Sequence, residues 1–583
     1  MEKTAAFLFF AISFLASCCS PPNLPGDDVR ISWDRSTHII IDQIALDDGT
    51  VEPNLYYPRV KRLPDGALLL TFMNDHLGWE IFATRSEDDG ASWAPAQKLC
   101  SRHPAESTVG ADEIVYVNPD FICLSDGRLM LAYQWRYLKG YGDIPHTNEN
   151  CGIGILFSED FGKTWGEPRN IYRGRCWEPA MLELPSGEIQ LYLTDSQNVV
   201  SGMSCPKTSL IRSFDGGKTW QSKDECKWED VEGISYTVDD RFGYDGMATA
   251  VLLDNGSIAM TVEVWSGKYV VDQTPVVVKT RDNWTVDQEA LMRDGGPDYP
   301  FKKQVNKDFI GYGPYIARLP DGKVITNANG QYKGKEGLWV LIGDNDADNF
   351  SHATSPFGGY WGSVDYTGND RIFVTSTVKY TLDGKTRGKI NIIQGRLNRS
   401  KAIHRGDIDL PPLDSEESDR WFLGGKYNSS VTYDFGYTAD DFIFNTWVKD
   451  GNLTVFTPEN SDASVLLLSR GNEIYKLAVN AAGKWILYRQ EHRAWHRLQT
   501  GDAADLSVDG TVNDDSDTDT GFAAQVRIPW KELGGAPHKG EFLHAHPAHW
   551  DKLKSAEKAA RRWEELDGES SDYPTEWLTL RLI

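Results

Sequence analysis

The chain has 583 residues and a formal net charge of −25. A charge of this sign excludes nucleic acid from the expected partners, because phosphate backbones are bound by clustered lysine and arginine side chains. Neutral glycans are not excluded. The length exceeds that of one ordinary domain, and the 20 tryptophans suit a β-rich protein that handles carbohydrate.

The N-terminus predicts export from the cytoplasm. Lys3 precedes an apolar run from Ala5 to Leu15, and Ala16-Ser17-Cys18 follows. This arrangement resembles a bacterial lipobox, so we expect residues 1–17 to be a lipoprotein signal peptide and Cys18 to carry the lipid. The protein would then sit in the bacterial cell envelope, anchored in the periplasm or at the cell surface. An ordinary secretory signal is the alternative.

Three copies of one short pattern, S-x-D-x-G-x-x-W, lie in the first half of the chain. They read Ser86-Glu-Asp88-Asp-Gly90-Ala-Ser-Trp93, Ser158-Glu-Asp160-Phe-Gly162-Lys-Thr-Trp165 and Ser213-Phe-Asp215-Gly-Gly217-Lys-Thr-Trp220. Serine and aspartate side chains bind backbone N–H groups in tight turns, and glycine supplies a positive φ. The pattern resembles the Asp box, or BNR repeat, of sialidase-like β-propellers. We assign its aspartate to the turn and not to catalysis.

A second repeat consists of two apolar runs joined by a turn that ends in glycine. The five copies end at Gly66, Gly127, Gly187, Gly256 and Gly322, with spacings of 61, 60, 69 and 66 residues. Each copy predicts a two-strand hairpin, and a period of this length fits four-stranded blades in a radial array. A degenerate sixth turn at 367–370 and a returning strand at 38–42 complete the pattern. We predict an all-β chain in which residues 30–400 form a six-bladed β-propeller; five or seven blades are the alternatives.

The chain changes character after residue 400. Residues 401–420 are polar and contain a Pro-Pro pair, which indicates a linker. The blocks Trp421-Phe-Leu-Gly-Gly-Lys and Val526-Arg-Ile-Pro-Trp530-Lys-Glu-Leu-Gly resemble family 9 carbohydrate-binding modules. That resemblance implies a β-sandwich over residues 421–583, with Trp485 and Trp495 as candidates for gripping a sugar.

No cofactor is expected, with structural calcium as one open possibility. Seven aspartates lie between residues 502 and 519, and such a run is either a solvated loop or a calcium site. No cysteine or histidine spacing indicates a metal centre. The six cysteines from Cys100 to Cys226 are even in number, which permits disulfides.

Strand polarity predicts where functional groups gather. In a hairpin, the start of the first strand and the end of the second lie at the end opposite the turn. Polar side chains placed seven to ten residues on either side of the turn glycines should therefore share one end of the propeller. The residues so placed are Arg59, Asn118, Asp120, Arg136, Glu178, Asp195, Glu263 and Tyr312.

Two of these residues are carboxylates on apolar strands. Glu178 alternates with Ala180 and Leu182, and Pro179 biases it towards an extended conformation. Glu263 ends a mostly apolar run. A charge in such a place is costly unless it is paired or used. Catalysis is one interpretation, and a structural ion pair with an arginine is the other.

The order of four segments resembles glycoside hydrolase family 93, the exo-α-1,5-L-arabinanases. The segments are Tyr57-Pro-Arg-Val-Lys-Arg-Leu-Pro-Asp-Gly66, Trp177-Glu178-Pro179, Tyr244-Asp245-Gly-Met-Ala248 followed by Glu263, and Gly311-Tyr-Gly-Pro-Tyr315. The resemblance covers residues 50–345. It implies a retaining exo-hydrolase with Glu178 as acid/base and Glu263 as nucleophile. The other residues placed by polarity, together with Trp177 and Asp245, would bind the substrate, an oligo- or polysaccharide. We expect a monomer.

Two other functions stay open. An exo-sialidase has the same propeller and Asp boxes, but it binds its substrate carboxylate with three arginines. Arg59, Arg136 and Arg241 are the candidates here, although Arg59-Val60-Lys61 stands in place of the usual Arg-Ile-Pro triplet. A non-catalytic glycan-binding lipoprotein is the third possibility, and the two glutamates argue against it.

Overall fold

The computed structural model describes most of the chain. The described residues are 28–74, 79–197, 199–200, 203–237, 243–266, 273–285, 302–415, 419–425, 429–457, 460–514, 516–552, 562–566, 574 and 577–583. The predicted signal peptide and Cys18 lie outside them, as does Arg241. Strands dominate the described part, with short 3₁₀ helices at Gly140–Gly142, Ile144–Glu149 and Trp530–Leu533. The prediction of an all-β chain is confirmed.

Six antiparallel sheets follow one another between residues 29 and 399, and we number them in the order of their first strands. Sheet 1 consists of Tyr56–Arg62, Leu68–Met73, Ile81–Ser86 and Gln97–Cys100. Sheet 2 consists of Gly110–Cys123, Leu129–Tyr137, Cys151–Ser158 and Arg169–Arg173, with His103–Ser107 and Cys226–Lys227 at its edges. Sheet 3 consists of Cys176–Glu183, Ile189–Asp195, Lys207–Ser213 and Glu232–Ser235. Sheet 4 consists of Gly243–Leu252, Ile258–Ser266, Thr274–Thr280 and Lys302–Gln304. Sheet 5 consists of Phe309–Arg318, Val324–Tyr332, Lys335–Gly343 and Ser351–Thr354. Sheet 6 consists of Val364–Gly368, Arg371–Leu382, Lys385–Arg399 and Val29–Ile41. Two small hairpins, Ile44–Ala45 with Val51–Glu52 and Val199–Val200 with Met203–Ser204, stand apart from these sheets.

The first strands of the six sheets contact one another in cyclic order. Each first strand lies against that of the next sheet, and the first strand of sheet 6 lies against that of sheet 1. Apolar clusters fill the space between neighbouring sheets; Leu69 of sheet 1, for example, shares a cluster with Phe121 and Leu129 of sheet 2. The first strands therefore form the innermost layer.

The N-terminal strand belongs to the last sheet of the series. Ile39, Ile40 and Ile41 pair with Ile392, Asn391 and Ile390. The predicted return of residues 38–42 to the last unit is confirmed. This pairing joins the two ends of the six-sheet region by backbone hydrogen bonds.

The predicted glycine turns join the first and second strands. The turn glycines, including the sixth at Gly368, have φ between +81° and +91°, a region in which a side chain is strained. Each turn before residue 330 is closed by backbone bonds such as Gly66 N–H to Leu63 O at 3.0 Å. The hairpin predictions are confirmed at all six places.

The Asp boxes are turns built on side-chain hydrogen bonds. In the second box the Ser158 hydroxyl donates to Asp160 (2.9 Å) and accepts from Gly162 N–H (2.7 Å), while Asp160 accepts from the N–H and the hydroxyl of Thr164 (2.8 and 2.6 Å). The other two boxes repeat these bonds. The structural role assigned to the aspartates is supported by these contacts.

A fourth turn of this kind lies in sheet 4, where the sequence pattern does not reveal it. The Thr280 hydroxyl donates to Asp282 (2.6 Å) and accepts from Trp284 N–H (3.1 Å). Trp284 stands where the other boxes have glycine and adopts a φ of +62°. The two bonds of the hydroxyl at the first position of the box are retained, so the turn forms without the glycine.

Two further sheets contain most of residues 401–583. Sheet 7 consists of Lys401–Ile403, Leu578–Leu582, Phe542–Asp551, Ala463–Arg470, Glu473–Asn480, Lys484–Glu491 and Ala494–Asp502, in this spatial order, and Arg562–Glu565 also pairs with Phe542–Asp551. Sheet 8 consists of Trp421–Gly424, Ser430–Tyr437, Asp441–Lys449, Gly521–Pro529 and Asp505–Asp509. A separate two-stranded hairpin is formed by Val455–Thr457 and Asn460–Ser461. The two sheets share one apolar cluster that includes Phe444, Val526 and Leu580. Trp485 belongs to this cluster and is 5% exposed, so of its two possible roles, gripping a sugar or packing in the core, it has the core role. Trp495 is partly exposed.

The segment expected to be a linker packs against these sheets. Lys401–Ile403 pairs in parallel with the last strand of the chain, and Ile403 is part of the apolar cluster. Farther along, the Asp409 and Pro411 carbonyls accept hydrogen bonds from Asn445 and Trp447 side chains. The first part of residues 401–420 is therefore built into the C-terminal sheets.

The six cysteines between Cys100 and Cys226 are all free thiols, and five of them are buried. The disulfides that their even number permitted do not form in this structure. Within the described part of the chain, none of the helices has the length and apolar character that crossing a membrane requires.

Loss of an Asp-box carboxylate should lower the stability of the protein without changing the innermost layer. In Asp160→Ala, Thr164 N–H and two hydroxyls lose their acceptor. Because the turn is near the surface, water replaces part of the loss, and we expect the free energy of unfolding to fall by about 1 kcal/mol. Urea denaturation measures this change. A stability equal to that of the wild type would show that the box does not support the fold.

Candidate active site

A backbone irregularity recurs in the innermost layer. One residue in or just before the first strand of each sheet has a positive φ: Tyr57 (56°), Asn118 (55°), Glu178 (55°), Met247 (53°), Gly313 (65°) and Trp361 (52°). In the first five sheets the pairing with the second strand slips at the same place. These features define a β-bulge, which bends a strand and redirects a side chain.

The bulge corrects one prediction from the sequence. Pro179 was expected to hold Glu178 extended, and this is wrong, because Glu178 is left-handed with a φ of 55°. Proline also follows the bulge residue at Pro58, Pro119 and Pro314. The recurring X-Pro step is thus the sequence signal of the bulge, and the local preference of the pre-proline residue is overridden by the packed sheet around it.

The N–H group of the bulge residue is bound by the preceding sheet. In five sheets it donates to a side chain near the end of the second strand of the sheet before. These pairs are Tyr57 to Thr377 Oγ1 (3.0 Å), Asn118 to Met73 Sδ (3.3 Å), Met247 to Thr194 Oγ1 (2.9 Å), Gly313 to Glu263 Oε2 (2.6 Å) and Trp361 to Asn329 Oδ1 (3.3 Å). We call this contact the bulge cap.

Glu263 is the one carboxylate among these five caps. Threonine, methionine and asparagine perform the same task in the other sheets, so the cap itself does not require a charge. Glu263 is 6% exposed and also accepts a hydrogen bond from the Tyr244 side chain. Burial raises its pKa, and the two hydrogen bonds oppose that rise by stabilising the ionised form.

Glu178 occupies the bulge position of sheet 3. Its Oε2 accepts from Thr194 Oγ1 at 3.2 Å, and that threonine is in turn the cap of Met247. Loss of water on burial, and then the negative charge of Glu263, raise the pKa of Glu178 to about 8. Arg59 lowers it only in part. Glu178 therefore holds a proton at neutral pH.

The two acids interact and have different surroundings. The negative charge of Glu263 contributes to the raised pKa of Glu178. Glu263 receives two hydrogen bonds that favour a carboxylate, whereas Glu178 is dominated by burial. These surroundings favour the protonated form of Glu178 and give Glu263 two hydrogen bonds that oppose the rise of its pKa. The arrangement suits a proton donor beside a nucleophile.

Arg59 is buried behind the pair. It is 2% exposed, and its Nη1 donates to the carbonyls of Pro58 and Trp361, both at 2.9 Å. Its guanidinium also lies 3.9 Å from the centre of the Tyr57 ring. These contacts place Arg59 as a positive charge near Glu178, held by the bulges of sheets 1 and 6.

Asp120 belongs to a buried polar cluster of the innermost layer. Both of its carboxylate oxygens lie 3.2 Å from the Tyr315 hydroxyl, and Lys61 Nζ is 3.7 Å away. Asp365 joins the same group, and loss of water raises its pKa to about 7. The contacts of Asp120 are therefore to side chains of two other sheets, Lys61 of sheet 1 and Tyr315 of sheet 5.

Two other predicted substrate contacts are taken up by structural bonds. Asp245 is fully buried, and Lys302 Nζ lies 2.5 Å from its Oδ2. Asp195 is 3% exposed, accepts from Ser209 at 3.3 Å, and points to the strand face opposite to its neighbour Thr194. Both residues leave the set of substrate-contact candidates.

The remaining predicted residues are partly exposed. Arg136 stacks on Trp79 and Tyr141, at 5.0 and 4.8 Å from the ring centres. Trp177 precedes Glu178, and Asn118 is the bulge residue of sheet 2. These three stay candidates for contact with a ligand.

Tyr312 lines a cavity beside Glu263. The cavity has a volume of about 660 Å³ and lies at the ends of strands in sheets 5 and 6. Tyr312 and Tyr360 stack at its wall, with ring centres 6.3 Å apart. The residue after Tyr312 is Gly313, whose N–H donates to Glu263 Oε2. An aromatic wall is suited to the faces of sugar rings, but neither Glu178 nor Glu263 lines this cavity.

Sequence reasoning missed Thr194, Tyr244 and the N–H groups of Met247 and Gly313. Their contributions depend on which sheet stands next to which. The signals for them in the sequence are the X-Pro steps at matching places along the chain and the ordered segments that contain Tyr244, Met247 and Gly313.

One aspartate of the acidic stretch at 502–519 is bound by backbone N–H groups. In the acidic stretch, Asp519 accepts from the N–H groups of Leu453 and Thr511, both at 2.6 Å. Among the described residues, the carboxylates that come together are Asp450, Asp462 and Asp551, with ligand oxygens within 4.8 Å of one another. Burial raises the pKa of Asp462 to about 9.

Comparison with known proteins supports the repeat. The family model of the BNR repeat-like domain matches residues 32–231, a span that includes the three Asp boxes. No match is found among curated proteins.

The similar solved structures are distant. They include a protein of unknown function from Dyadobacter fermentans (16% identity, TM-score 0.45, covering 64% of this chain and 100% of that one). An α-L-arabinanase of Penicillium chrysogenum complexed with arabinobiose is similar at 18% identity and a TM-score of 0.41, covering 61% and 97%. A sialidase of Streptococcus pneumoniae is similar at 10% identity and a TM-score of 0.40, and the match covers 58% of this chain and 68% of the sialidase chain. They do not decide between arabinan and sialic acid as substrate.

The raised pKa of Glu178 makes stability depend on pH. A carboxyl that binds its proton more tightly in the folded state contributes stability that is complete below the unfolded pKa, near 4.5, and is lost as the pH rises through about 8. The free energy of unfolding of Glu178→Gln, relative to that of the wild type, should therefore rise by about 1 kcal/mol or more between pH 5 and pH 9. Urea denaturation at both values measures this.

The exposed Glu167→Gln is the control for the pH series. Its free energy of unfolding should differ from that of the wild type by the same small amount at pH 5 and at pH 9. An unchanged difference between Glu178→Gln and the wild type would mean that Glu178 is ionised in the folded protein at neutral pH.

Proposed function

We propose that this protein is an exo-acting, retaining glycoside hydrolase. In this proposal residues 30–400 form a six-bladed β-propeller, and residues 421–583 form a β-sandwich related to carbohydrate-binding modules. The six sheets with cyclic contacts between their first strands support the propeller, and the apolar cluster shared by sheets 7 and 8 supports the sandwich.

The observation that carries the proposal is the pair of acids. Glu263 is a carboxylate at a place where neutral side chains are sufficient for the cap, and Glu178 is a carboxyl at a strained backbone position. A structural ion pair between either acid and an arginine was the alternative. The described contacts give neither acid an ion pair, because Arg59 is bonded to main-chain carbonyls. Buried acids without such pairing are expected where they are used.

The geometry suggests a role for each acid. Protonated Glu178 donates its proton to the glycosidic oxygen as the bond from that oxygen to the anomeric carbon breaks. The Glu263 carboxylate attacks the anomeric carbon from the other side and forms a glycosyl ester. Glu178, now ionised, removes a proton from water, which attacks the same carbon and releases Glu263. Gly313 N–H and the Tyr244 hydroxyl hold Glu263 in place.

An arabinan-type chain is the proposed substrate. This choice depends on the ordered segments around Tyr57, Trp177, Tyr244 and Gly311, which resemble the exo-arabinanases. A sialidase would need arginines turned towards the substrate carboxylate. Arg59 is buried and bonded to carbonyls, and Arg136 stacks between two rings, so no contact in the described residues favours that alternative.

Substitution of each acid should give a distinct kinetic pattern. Glu178→Gln cannot protonate a leaving group, so turnover should fall about 10²–10⁴-fold on arabinan and far less on an aryl arabinoside with an acidic phenol. Glu263→Gln lacks the nucleophile and should lose both activities. Because the glutamine carbonyl can still accept from Gly313 N–H, this variant should keep its unfolding midpoint.

Controls separate catalysis from folding and identify the substrate. Glu167→Gln should retain full activity on both substrates. Full activity in either acid variant would refute the assignment, and so would a first product of inverted configuration in the case of Glu263. Release of sialic acid from sialyllactose without any activity on arabinan would establish the sialidase alternative.

Membrane attachment is part of the proposal. Cys18 would be the lipidated first residue after signal cleavage, and the mature protein would be bound to the cell envelope. We expect Cys18→Ala to move the protein from the membrane fraction to the soluble fraction on ultracentrifugation of expressing cells. A variant that remains with the membranes would contradict the lipobox.

A further inference from the structure

Two arginines share one tyrosine ring at the end of sheets 2 and 3 that holds the acids. The guanidinium carbon of Arg136 lies 4.8 Å from the ring centre of Tyr141 and 5.0 Å from that of Trp79. The guanidinium carbon of Arg175 lies 5.3 Å from the centre of the same Tyr141 ring. Both arginines are partly exposed. We call Arg136 and Arg175 the arginine pair.

A hydrogen bond between the two sheets sets the direction of Arg136. This residue is the last but one of strand Leu129–Tyr137. Gln134 lies on the same face of that strand, because side chains alternate along it, and its amide donates to the Cys176 carbonyl of sheet 3. Arg136 therefore leaves its strand on the face that is turned towards sheet 3.

Arg175 and the ring of Tyr141 are held by their backbones. The Arg175 N–H donates to Asn148 Oδ1 at 2.9 Å, and the Arg175 carbonyl accepts from Ser196 N–H at 3.1 Å. The Tyr141 carbonyl accepts from Thr147 Oγ1 at 3.1 Å. Because these bonds are formed in the structure without any ligand, the arginine pair is preorganised.

Among the described contacts, neither member of the arginine pair has a carboxylate partner. By contrast, Arg173, two residues before Arg175, is paired with Glu225 at 3.0 Å. Asp143 of the adjacent loop accepts from the Thr108 hydroxyl at 2.7 Å. The net charge of the chain is −25, so acids are abundant elsewhere. Two guanidinium groups that share one ring repel each other, and an anion bound between them offsets that repulsion.

The donors of the arginine pair match a carboxylate. A cation is attracted to the face of an aromatic ring, and the N–H groups at the edge of a guanidinium fit the two oxygens of a carboxylate. Arg175 Nε is buried and has no hydrogen-bond partner among the described residues. Burial raises the pKa of Tyr141, and Arg175 and then Arg136 oppose that rise. Positive charge therefore gathers around this ring.

The arginine pair lies on the proton-donor side of the proposed reaction. Arg175 is three residues before Glu178, which is about 10 Å along an extended strand. Sheet 3 stands between sheet 2, with Arg136, and sheet 4, with Glu263. An acid protonates the leaving-group oxygen while the nucleophile attacks from the opposite side. The leaving group therefore extends from Glu178 towards sheets 2 and 3.

We propose that the arginine pair binds the carboxylate of an acidic sugar in the leaving group, so that the preferred substrate is an arabinose branch joined to a uronic acid unit. The proposal rests on the proposed hydrolase, because the assignment of the leaving group depends on Glu178 as the acid. It differs from the sialidase alternative, in which the carboxylate belongs to the sugar that is attacked. A neutral arabinan leaves both guanidinium groups without an anion and should be a poorer substrate.

Two aryl arabinosides that differ in one charge test this proposal: 4-carboxyphenyl arabinoside and its methyl ester. For each variant, the kcat/KM relative to wild type is compared between the two substrates, because the intrinsic reactivity of each leaving group cancels in that ratio. We expect Arg136→Gln and Arg175→Gln each to lower kcat/KM for the carboxylate about tenfold more than for the ester. Added salt should weaken the preference of the wild type for the carboxylate.

Two further variants control the experiment. Arg173→Gln removes a guanidinium of sheet 2 that is paired with Glu225 and lies 5.1 Å from the ring centre of Trp135, so it should affect both substrates alike. Arg136→Lys keeps the charge but loses the planar fork, and its effect should be intermediate. The two arginines are tested separately, so one variant that fails to fold leaves the other to decide.

Calorimetry on the full chain separates this site from the proposed catalysis. D-galacturonate should bind to the wild type and to Arg173→Gln, and its affinity should fall about tenfold in Arg136→Gln and in Arg175→Gln. Neutral D-galactose should not bind at the same concentration. If neither arabinoside is hydrolysed, the proposed hydrolase fails. Binding of galacturonate through the arginine pair would then support the anion site and overturn its place in the leaving group.

Three results would overturn the anion site. Equal losses on the carboxylate and the ester in both glutamine variants would mean that the arginines serve the fold or a neutral sugar. Galacturonate binding that survives both variants would place the uronate elsewhere. Sodium sulfate binding as tightly as galacturonate would mean a site for any small anion.

Discussion

The innermost layer of this protein depends on the bulge cap. A bulge leaves an N–H group out of its ladder, and a buried N–H without a partner is costly. Each cap meets that need with a side chain from the preceding sheet, as Thr377 does for Tyr57 and Asn329 does for Trp361. The contact therefore joins neighbouring sheets and maintains five of the six left-handed residues at equivalent places in the innermost layer.

The candidate active site is a modification of this repeated contact. Glu263 retains the cap by accepting from Gly313 N–H and adds a charge that the other caps lack. Glu178 uses the bulge of its own sheet, where the redirected backbone brings its carboxyl to Thr194. Because the backbone of the site is shared with non-catalytic sheets, an acid can be introduced there with little change in the surrounding structure.

The C-terminal sheets are joined to the six-sheet region by bonds on several strands. Ser400 N–H donates to the Asp28 carbonyl, and its hydroxyl accepts from Thr579 N–H. Residues 401–403 then enter sheet 7 beside the end of the chain. A polar composition at 401–420 predicted a linker, but polar residues also satisfy the carbonyl and amide groups of a packed segment, and composition does not distinguish the two.

The sequence by itself determined the repeating parts of this protein. Turn glycines such as Gly66 and Asp boxes such as Ser158-Glu-Asp160 are local, since their bonds lie within a few residues, and the hairpins they form follow from them. Strand polarity was also sufficient to select Glu178 and Glu263. The tertiary structure then showed which of the selected polar side chains are paired with other side chains. Asp245 meets Lys302, 57 residues away, and Asp120 meets Tyr315, 195 residues away. Burial and pairing arise between strands that are distant along the chain, and no local pattern encodes which distant side chain will neutralise a charge.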